Sequence, residues 1–189
     1  MGSPAAEGSD ADARDAAAAA RGDAEAFGAL FARLAPAAWG FARRLTADRA
    51  AAEDAVHDAF LRLLETARRG RIDVARGTVR GLLLRMVRNA SVDAGRVRRR
   101  ETGAPGPEDG GAFADPADLR ADVAAALAAL PPNHRAALLL RVDQGLPYEE
   151  IGVVLDVGVA QVRNWIHRAR AALAERLAHP ALAHGDRHV

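Results

Sequence analysis

The chain is 189 residues long, half of its residues are apolar, and its formal net charge is +1. It contains no cysteine, which excludes disulfides and thiolate metal sites and makes a reducing cytosol the expected setting. No apolar run approaches the ~20 residues of a membrane span, and residues 1–15 lack the basic start and apolar core of a signal peptide.

The charges are strongly segregated along the chain. All 26 basic residues are arginines, whose planar guanidinium suits bidentate recognition of phosphate or guanine. Seven arginines and one acid, Asp93, lie within residues 80–100, whereas residues 101–118 contain five acids and no base. The local charge pattern is therefore more informative than the total.

Composition divides the chain into two lobes. Residues 1–21 are mostly Ala, Gly, Ser and Asp, which predicts a disordered N-terminal extension. Residues 101–117 are rich in Gly, Pro and acid and predict a flexible linker. Residues 179–189 predict a disordered tail. The folded domains are expected at 22–100 and 118–178.

Apolar residues in the first lobe recur with helical spacing, and no segment predicts a strand. One helical pattern ends near Leu45, and Pro36 predicts a kink or a restart within it. A second helix should begin near Asp48, which is a good N-cap, and a third should run from about Thr78 to Arg99. The expected core comprises Phe27, Leu30, Phe31, Leu34, Phe41, Leu45, Ala52, Val56, Ala59, Phe60, Leu63, Leu64, Val79, Leu82, Leu83, Met86, Ala90 and Val97.

The second lobe is also predicted to be helical. A helix over 119–130 ends at two prolines, and Asn133 is expected to cap the next helix, which ends near Gly145. A short helix over 149–155, a turn at 156–158 and a longer final helix follow. This order is typical of a helix-turn-helix. The predicted fold class is all-α: two small helical domains joined by a flexible acidic linker, the second a helix-turn-helix domain.

The final helix has an apolar stripe and a polar face. Val162, Ile166, Ala169 and Leu173 follow helical spacing and predict the buried stripe. The polar side chains on the opposite side and its flanks are Gln161, Arg163, Asn164, His167 and Arg168. In a helix-turn-helix this part of the second helix meets base edges, where Asn and Gln pair with adenine and Arg with guanine. A solvated basic face on a structural helix is the alternative. Trp165 borders the stripe and is expected to pack.

Taken together, the lobes resemble an extracytoplasmic-function sigma factor of bacterial RNA polymerase. In the first lobe the matching stretches are AFGALFARLAPAAWGFARRLTADRAAAEDAVHDAFLRLL and LLLRMVRNASVDAGRVRRR. In the second lobe the match is AALAALPPNHRAALLLRVDQGLPYEEIGVVLDVGVAQVRNWIHRARAAL. The resemblance covers roughly residues 24–178, with both pieces in the family's order.

The resemblance implies a cytoplasmic, non-enzymatic protein that binds core RNA polymerase and directs promoter-specific transcription initiation. The first lobe would bind the polymerase clamp and the downstream (minus-ten) promoter element. The second would read the upstream (minus-thirty-five) element as duplex and touch the polymerase flap. An anti-sigma protein is the further partner that the resemblance implies.

The resemblance and the helical spacing together assign three sets of residues. Polymerase binding is expected at Asp54, His57, Asp58, Leu61 and Arg62. Downstream-element binding is expected at Arg85, Arg88, Asn89, Asp93, Arg96, Arg98, Arg99 and Arg100. Upstream-element binding is expected at Gln161, Arg163, Asn164, His167 and Arg168.

The chain departs from the family pattern in both lobes. Leu82 stands where family members usually carry tryptophan, and no aromatic residue occurs from Leu61 to Ala112. Extruded bases are usually held by aromatic stacking, so aliphatic side chains and arginine planes would have to substitute. Gln161 replaces the usual threonine and Trp165 the usual arginine, which predicts an unusual upstream preference.

Other groupings favour neither a cofactor nor catalysis. The tail histidines His179, His184 and His188 lie in a polar segment. The grouping of Asp54, His57 and Asp58 has no nucleophile or pocket implied beside it. A chain without lysine has no P-loop lysine. Two alternative functions stay open: a stand-alone helix-turn-helix regulator, and a sigma-like interaction protein that does not initiate transcription.

Overall fold

The computed structural model describes residues 4–46, 48–72, 77–102 and 118–178, except for the side chains of 4–7, 94–102 and 118–122. All regular secondary structure in these residues is helical, in agreement with the predicted all-α class. The helices are α1 Pro4–Ala20, α2 Ala24–Leu45, α3 Arg49–Arg68, α4 Val79–Thr102, α5 Asp118–Ala128, α6 Pro132–Val142, α7 Tyr148–Leu155 and α8 Val159–Ala178. Not one of these described helices is long and apolar enough to cross a membrane.

Helix α1 corrects the expectation of a disordered N-terminal extension. Its many alanines have the highest helix propensity, and Ala16 and Ala19 are buried. Arg33 of α2 forms ion pairs with Asp12 at 3.0 Å and with Asp15 at 2.6 Å. The composition of this segment is typical of a disordered chain, but packing against α2, α3 and α4 stabilises the helix.

Helices α2, α3 and α4 form the core of the first lobe. Asp23 and Asp48 cap the first two, with side-chain oxygens accepting from the backbone N–H groups of Ala26 and Ala50. Helix α2 continues through Pro36, so of the kink or restart expected there, the restart does not occur. Phe31 is also misplaced by the periodicity, because 44% of it is exposed.

The second lobe contains the predicted helix-turn-helix, formed by α7 and α8. Asp156 takes the left-handed conformation (φ 59°) that ends α7, and the Val157 N–H donates to the Gly152 carbonyl at 3.0 Å. A Cβ on Gly152 would lie 2.8 Å from the Val157 carbonyl oxygen, so the turn requires glycine there. The turn lies at the predicted position, 156–158, and the glycine that it requires is Gly152 of α7.

Asn133 does not cap α6, which corrects another expectation. Pro131 occupies the N-cap position without a side-chain hydrogen bond, and Asn133 lies inside the helix. The Asn133 side chain instead accepts a hydrogen bond from Arg88 of the first lobe at 2.8 Å. Prolines fit the first turn of a helix because the N–H they lack has no helical partner there.

The two lobes pack against each other, a feature that the sequence did not predict. Arg44 forms an ion pair with Asp143, and the Thr78 hydroxyl donates to the Glu150 carboxylate. The Arg80 guanidinium also donates to the Gln144 side-chain oxygen at 2.9 Å. Together with the Arg88–Asn133 hydrogen bond, these contacts form the interlobe contact, which joins α2 and α4 to α6 and α7.

Candidate nucleic-acid interface

The exposed face of α3 carries the residues expected to bind polymerase. Asp54, His57, Asp58, Leu61 and Arg62, here called the α3 strip, are all exposed. Leu61 stands out because 52% of this large apolar side chain is exposed. The opposite face of the helix is buried, so the strip is the side that α3 offers to a partner.

An exposed phenylalanine adds apolar surface to the first lobe. Phe31 of α2 packs on Phe60 of α3 with ring centroids 4.7 Å apart, and Phe27 meets the same ring edge-on at 6.5 Å. Phe60 is buried while Phe31 extends from it to the surface. Helical periodicity could not distinguish the two, because both fall on apolar positions of their helices.

The residues expected to bind the downstream element lie on α4. Four of these residues have described side chains, and we call them the described α4 face. Arg85 and Arg88 are half-buried, whereas Asn89 and Asp93 are exposed. The Arg88 guanidinium donates to the Asn89 side-chain oxygen at 3.1 Å as well as to Asn133. The backbone of α4 extends through Arg96, Arg98, Arg99 and Arg100, whose side chains lie outside the described residues.

The aliphatic side chains that could replace a stacking aromatic are only partly accessible. Leu82, Met86 and Ile72 are half-buried and pack against the hydrophobic core. The segment from Thr66 to Gly77, which could hold an extruded base, includes residues 73–76 outside the described residues. Stacking by these side chains therefore stays a prediction.

The polar side chains of α8 form one exposed face. Gln161, Arg163, Asn164, His167 and Arg168, here called the α8 face, are all exposed. The stripe opposite them is buried through Val162, Ile166 and Ala169, and Leu173 is half-buried. The α8 face thus has the geometry of a recognition helix that presents hydrogen-bonding side chains to a groove.

Trp165 packs as expected from its position at the border of the stripe. It is half-buried, and its ring centroid lies 6.2 Å from that of His134 on α6. Burial lowers the pKa of His134, and the positive charge of Arg168 lowers it further. A neutral imidazole is therefore the form that this packing favours.

Two further arginine contacts were not anticipated from the sequence. The guanidinium carbons of Arg141 on α6 and Arg163 on α8 lie 5.0 Å and 5.6 Å from the ring centroid of Tyr148. Both distances are within the range of a cation–π interaction. The residues are far apart in sequence, so no local pattern signals that they meet.

The described residues contain no group of three or more His, Asp and Glu side chains that could hold a metal ion. The tail histidines His179, His184 and His188 lie outside this part of the chain. The α3 strip has mainly acidic and apolar side chains, whereas the described α4 face and the α8 face are rich in guanidinium and amide groups. They are suited to binding a protein and nucleic acid.

Comparisons with known proteins match both lobes. Residues 30–101 match the family model described as Sigma-70 region 2, and residues 120–173 match that described as Sigma-70, region 4. The chain is 37% identical over 147 residues to the ECF RNA polymerase sigma factor SigE of Mycolicibacterium smegmatis, covering 72% of this chain and 56% of that protein. It is 33% identical over 162 residues to the RNA polymerase sigma factor CarQ of Myxococcus xanthus, covering 82% of this chain and 91% of CarQ.

Two solved structures have the same helical fold. CnrH, solved in complex with the cytosolic domain of CnrY, has a TM-score of 0.70 and 29% identity, covering 89% of this chain and 97% of that one. The sigma factor RpoE of Bartonella quintana, solved with the anti-sigma factor NepR, has a TM-score of 0.65 and covers 80% of this chain and 96% of that one. At 24% identity, the second likeness concerns the fold alone.

Proposed function

Because this chain belongs to the extracytoplasmic-function sigma factor family, we propose that it binds core RNA polymerase and directs promoter-specific transcription initiation. The observation that carries this proposal is the presence of both sigma regions in one chain, at 30–101 and 120–173. A stand-alone regulator would need only the second. The chain acts in the cytoplasm as a binding subunit and not as an enzyme.

Each surface has a part in this function. The α3 strip binds the polymerase clamp, since exposed carboxylates beside Leu61 suit a basic and partly apolar partner. The described α4 face, continued by Arg96 and Arg98–Arg100, follows the downstream element, with arginines on phosphate and Asn89 and Asp93 on bases. The α8 face reads the upstream element as duplex, and the second lobe also touches the flap.

An anti-sigma protein is the further partner in this proposal. It is supported by family membership and by the fold shared with CnrH, which was solved with the cytosolic domain of CnrY. Such a partner would regulate access to the polymerase, and the α3 strip is the surface on which we expect competition. Co-expression of a candidate regulator should then reduce core binding by the wild-type chain.

A run-off transcription assay tests the main proposal. Core polymerase is incubated with a library of promoter fragments, with and without the chain, and the transcripts are sequenced. We expect transcripts with discrete start sites, preceded by two common elements, only when the chain is present. Core binding without specific transcripts would instead identify a sigma-like interaction protein that does not initiate.

The affinity of the free chain for DNA separates the proposal from a stand-alone regulator. Each lobe is small, and the acidic residues of 101–118 can compete with phosphate for the arginines. Neutralising few phosphates gives weak, salt-sensitive binding. We expect poor promoter binding by the chain alone and tight binding with core polymerase, whereas nanomolar binding by the chain alone at physiological salt would favour the regulator.

A further inference from the structure

Arg163 is held in a different way from its neighbours on the α8 face. Its guanidinium carbon lies 5.6 Å from the ring centroid of Tyr148, the first residue of α7. Arg168, five residues further along α8, instead lies near His134, where its charge contributes to the lowered pKa of that imidazole. The two arginines of this face therefore have different surroundings.

The Tyr148 ring is itself fixed from a third helix. Arg141 of α6 lies 5.0 Å from the same ring centroid, and its guanidinium donates a hydrogen bond to the Leu146 carbonyl at 3.0 Å. This bond fixes Arg141, which is half-buried, and Tyr148 is half-buried as well. The contacts thus run from α6 through the ring to α8.

A fixed guanidinium matters for base recognition. An arginine side chain has many rotamers, and a bidentate contact with guanine requires one orientation. If the side chain is already ordered in the free protein, less conformational entropy is lost when it binds DNA. Asn164, which is shorter, has fewer rotamers to restrict.

We infer that Tyr148 is a positioning residue for promoter recognition: its ring holds Arg163 in the orientation in which it contacts the upstream element. This inference rests on the proposed function, because it assumes that Arg163 meets DNA. Tyr148 acts through Arg163, so its effect on sequence preference should appear at the base pair that Arg163 contacts. Arg141 supports the ring from the other helix.

The experiment compares Tyr148→Leu, Tyr148→Phe and Arg163→Ala in holoenzyme, each selected against a library of upstream elements. Phenylalanine keeps the aromatic face, so its selected sequence should match that of the wild type. Leucine removes it, and we expect a two- to fivefold weaker preference, as for loss of an exposed cation–π contact. The weakening should occur at the one position that Arg163→Ala also affects. Thermal unfolding of the full chain shows whether Tyr148→Leu is folded.

A double-substitution cycle separates positioning from a general loss of binding. The Tyr148→Leu effect should disappear in an Arg163→Ala background and persist in an Arg168→Ala background, which is the matched control. The inference is overturned if folded Tyr148→Leu keeps the wild-type preference, or if Tyr148→Leu and Tyr148→Phe weaken all sequences alike. If Arg163→Ala itself leaves selection unchanged, the assignment of the α8 face fails, and the inference fails with it.

Discussion

At the scale of single residues, Trp165 contributes to the stability of the second lobe. Its indole is half-buried and lies beside His134. Full burial of a large aromatic contributes about 3–5 kcal/mol, so for this half-buried ring we expect Trp165→Ala to cost about 1–3 kcal/mol. At roughly 2–4 °C per kcal/mol, the melting temperature should fall by several degrees.

Thermal unfolding of the full chain measures this effect, with Arg170→Ala, an exposed residue of the same helix, as the control. Promoter selection with holoenzyme completes the test. An unchanged melting temperature together with a changed upstream sequence would make the indole a base reader and contradict the packing role.

His134 makes stability depend on pH. Its pKa in the folded chain is lowered, first by burial and then by Arg168, so the unfolded chain binds the proton more readily. Stability therefore decreases as the pH falls through the unfolded value of about 6.5 towards the lower folded value. We expect a smaller loss of melting temperature between pH 7.5 and pH 5 in His134→Gln than in wild type. Equal losses in both would contradict this role.

At the scale of helices, the α3 strip should be separable from the stability of its helix. In the double variant, Asp58→Arg reverses a charge and Leu61→Glu places a charge on an apolar position. Both side chains are exposed. Because neither side chain contributes to the core, helical circular dichroism should persist while binding to core polymerase is lost. Glu25→Arg, an exposed charge reversal on α2, serves as the control. Core affinity equal to wild type in the double variant would remove the α3 strip from the proposed interface.

The helices also indicate how much of the fold the sequence can predict. The stripes of α3 and α8 were predicted because their burial follows the helix repeat, and Asp48 marks the start of α3 by a local hydrogen bond. Helix α1 was missed because its stability depends on packing against α2, α3 and α4, and its ion-pair partner Arg33 lies 18 or more positions away in the sequence. Local periodicity has no information about such pairs.

The same distinction applies to the candidate site. The exposure of the α8 face was predicted because it follows from the stripe opposite it. The contact of Tyr148 with Arg141 and Arg163 was not, because it depends on how α6, α7 and α8 are placed in space. The residue roles on α3, α4 and α8 came from helical spacing together with the family resemblance and stay predictions.

At the scale of the whole molecule, the interlobe contact conflicts with simultaneous binding of two promoter elements. Elements about 25 base pairs apart lie roughly 85 Å from each other along duplex DNA, at about 3.4 Å per base pair. In this structure α4 and α8 are both held against α6. Arg88 of α4 donates a hydrogen bond to Asn133 of α6, and the next residue, His134, packs beside Trp165 of α8. A helix as long as α8, with 20 residues, spans only about 30 Å. If the α4 and α8 faces bind the two elements as we propose, the lobes therefore have to separate.

Energy transfer between two labels measures this separation. The chain has no cysteine, so Glu65→Cys on α3 and Glu175→Cys on α8, both exposed, accept labels selectively. We expect high transfer efficiency in the free chain and a marked decrease in the complex with core polymerase and promoter. Equal efficiency in both states would contradict the separation.

The Arg88–Asn133 hydrogen bond has a consequence for apparent affinity. For a ligand that binds only the form with separated lobes, the apparent dissociation constant is the intrinsic one divided by the fraction of molecules in that form. If about one molecule in ten has separated lobes, binding is about tenfold weaker. Asn133→Ala removes the acceptor without altering Arg88 and should raise that fraction. Its complex with polymerase and promoter should form at lower protein concentration than that of wild type, whereas Glu53→Ala, which alters only a pair within α3, should not change it. A residue outside all three assigned surfaces would then set how much of the protein is competent to bind.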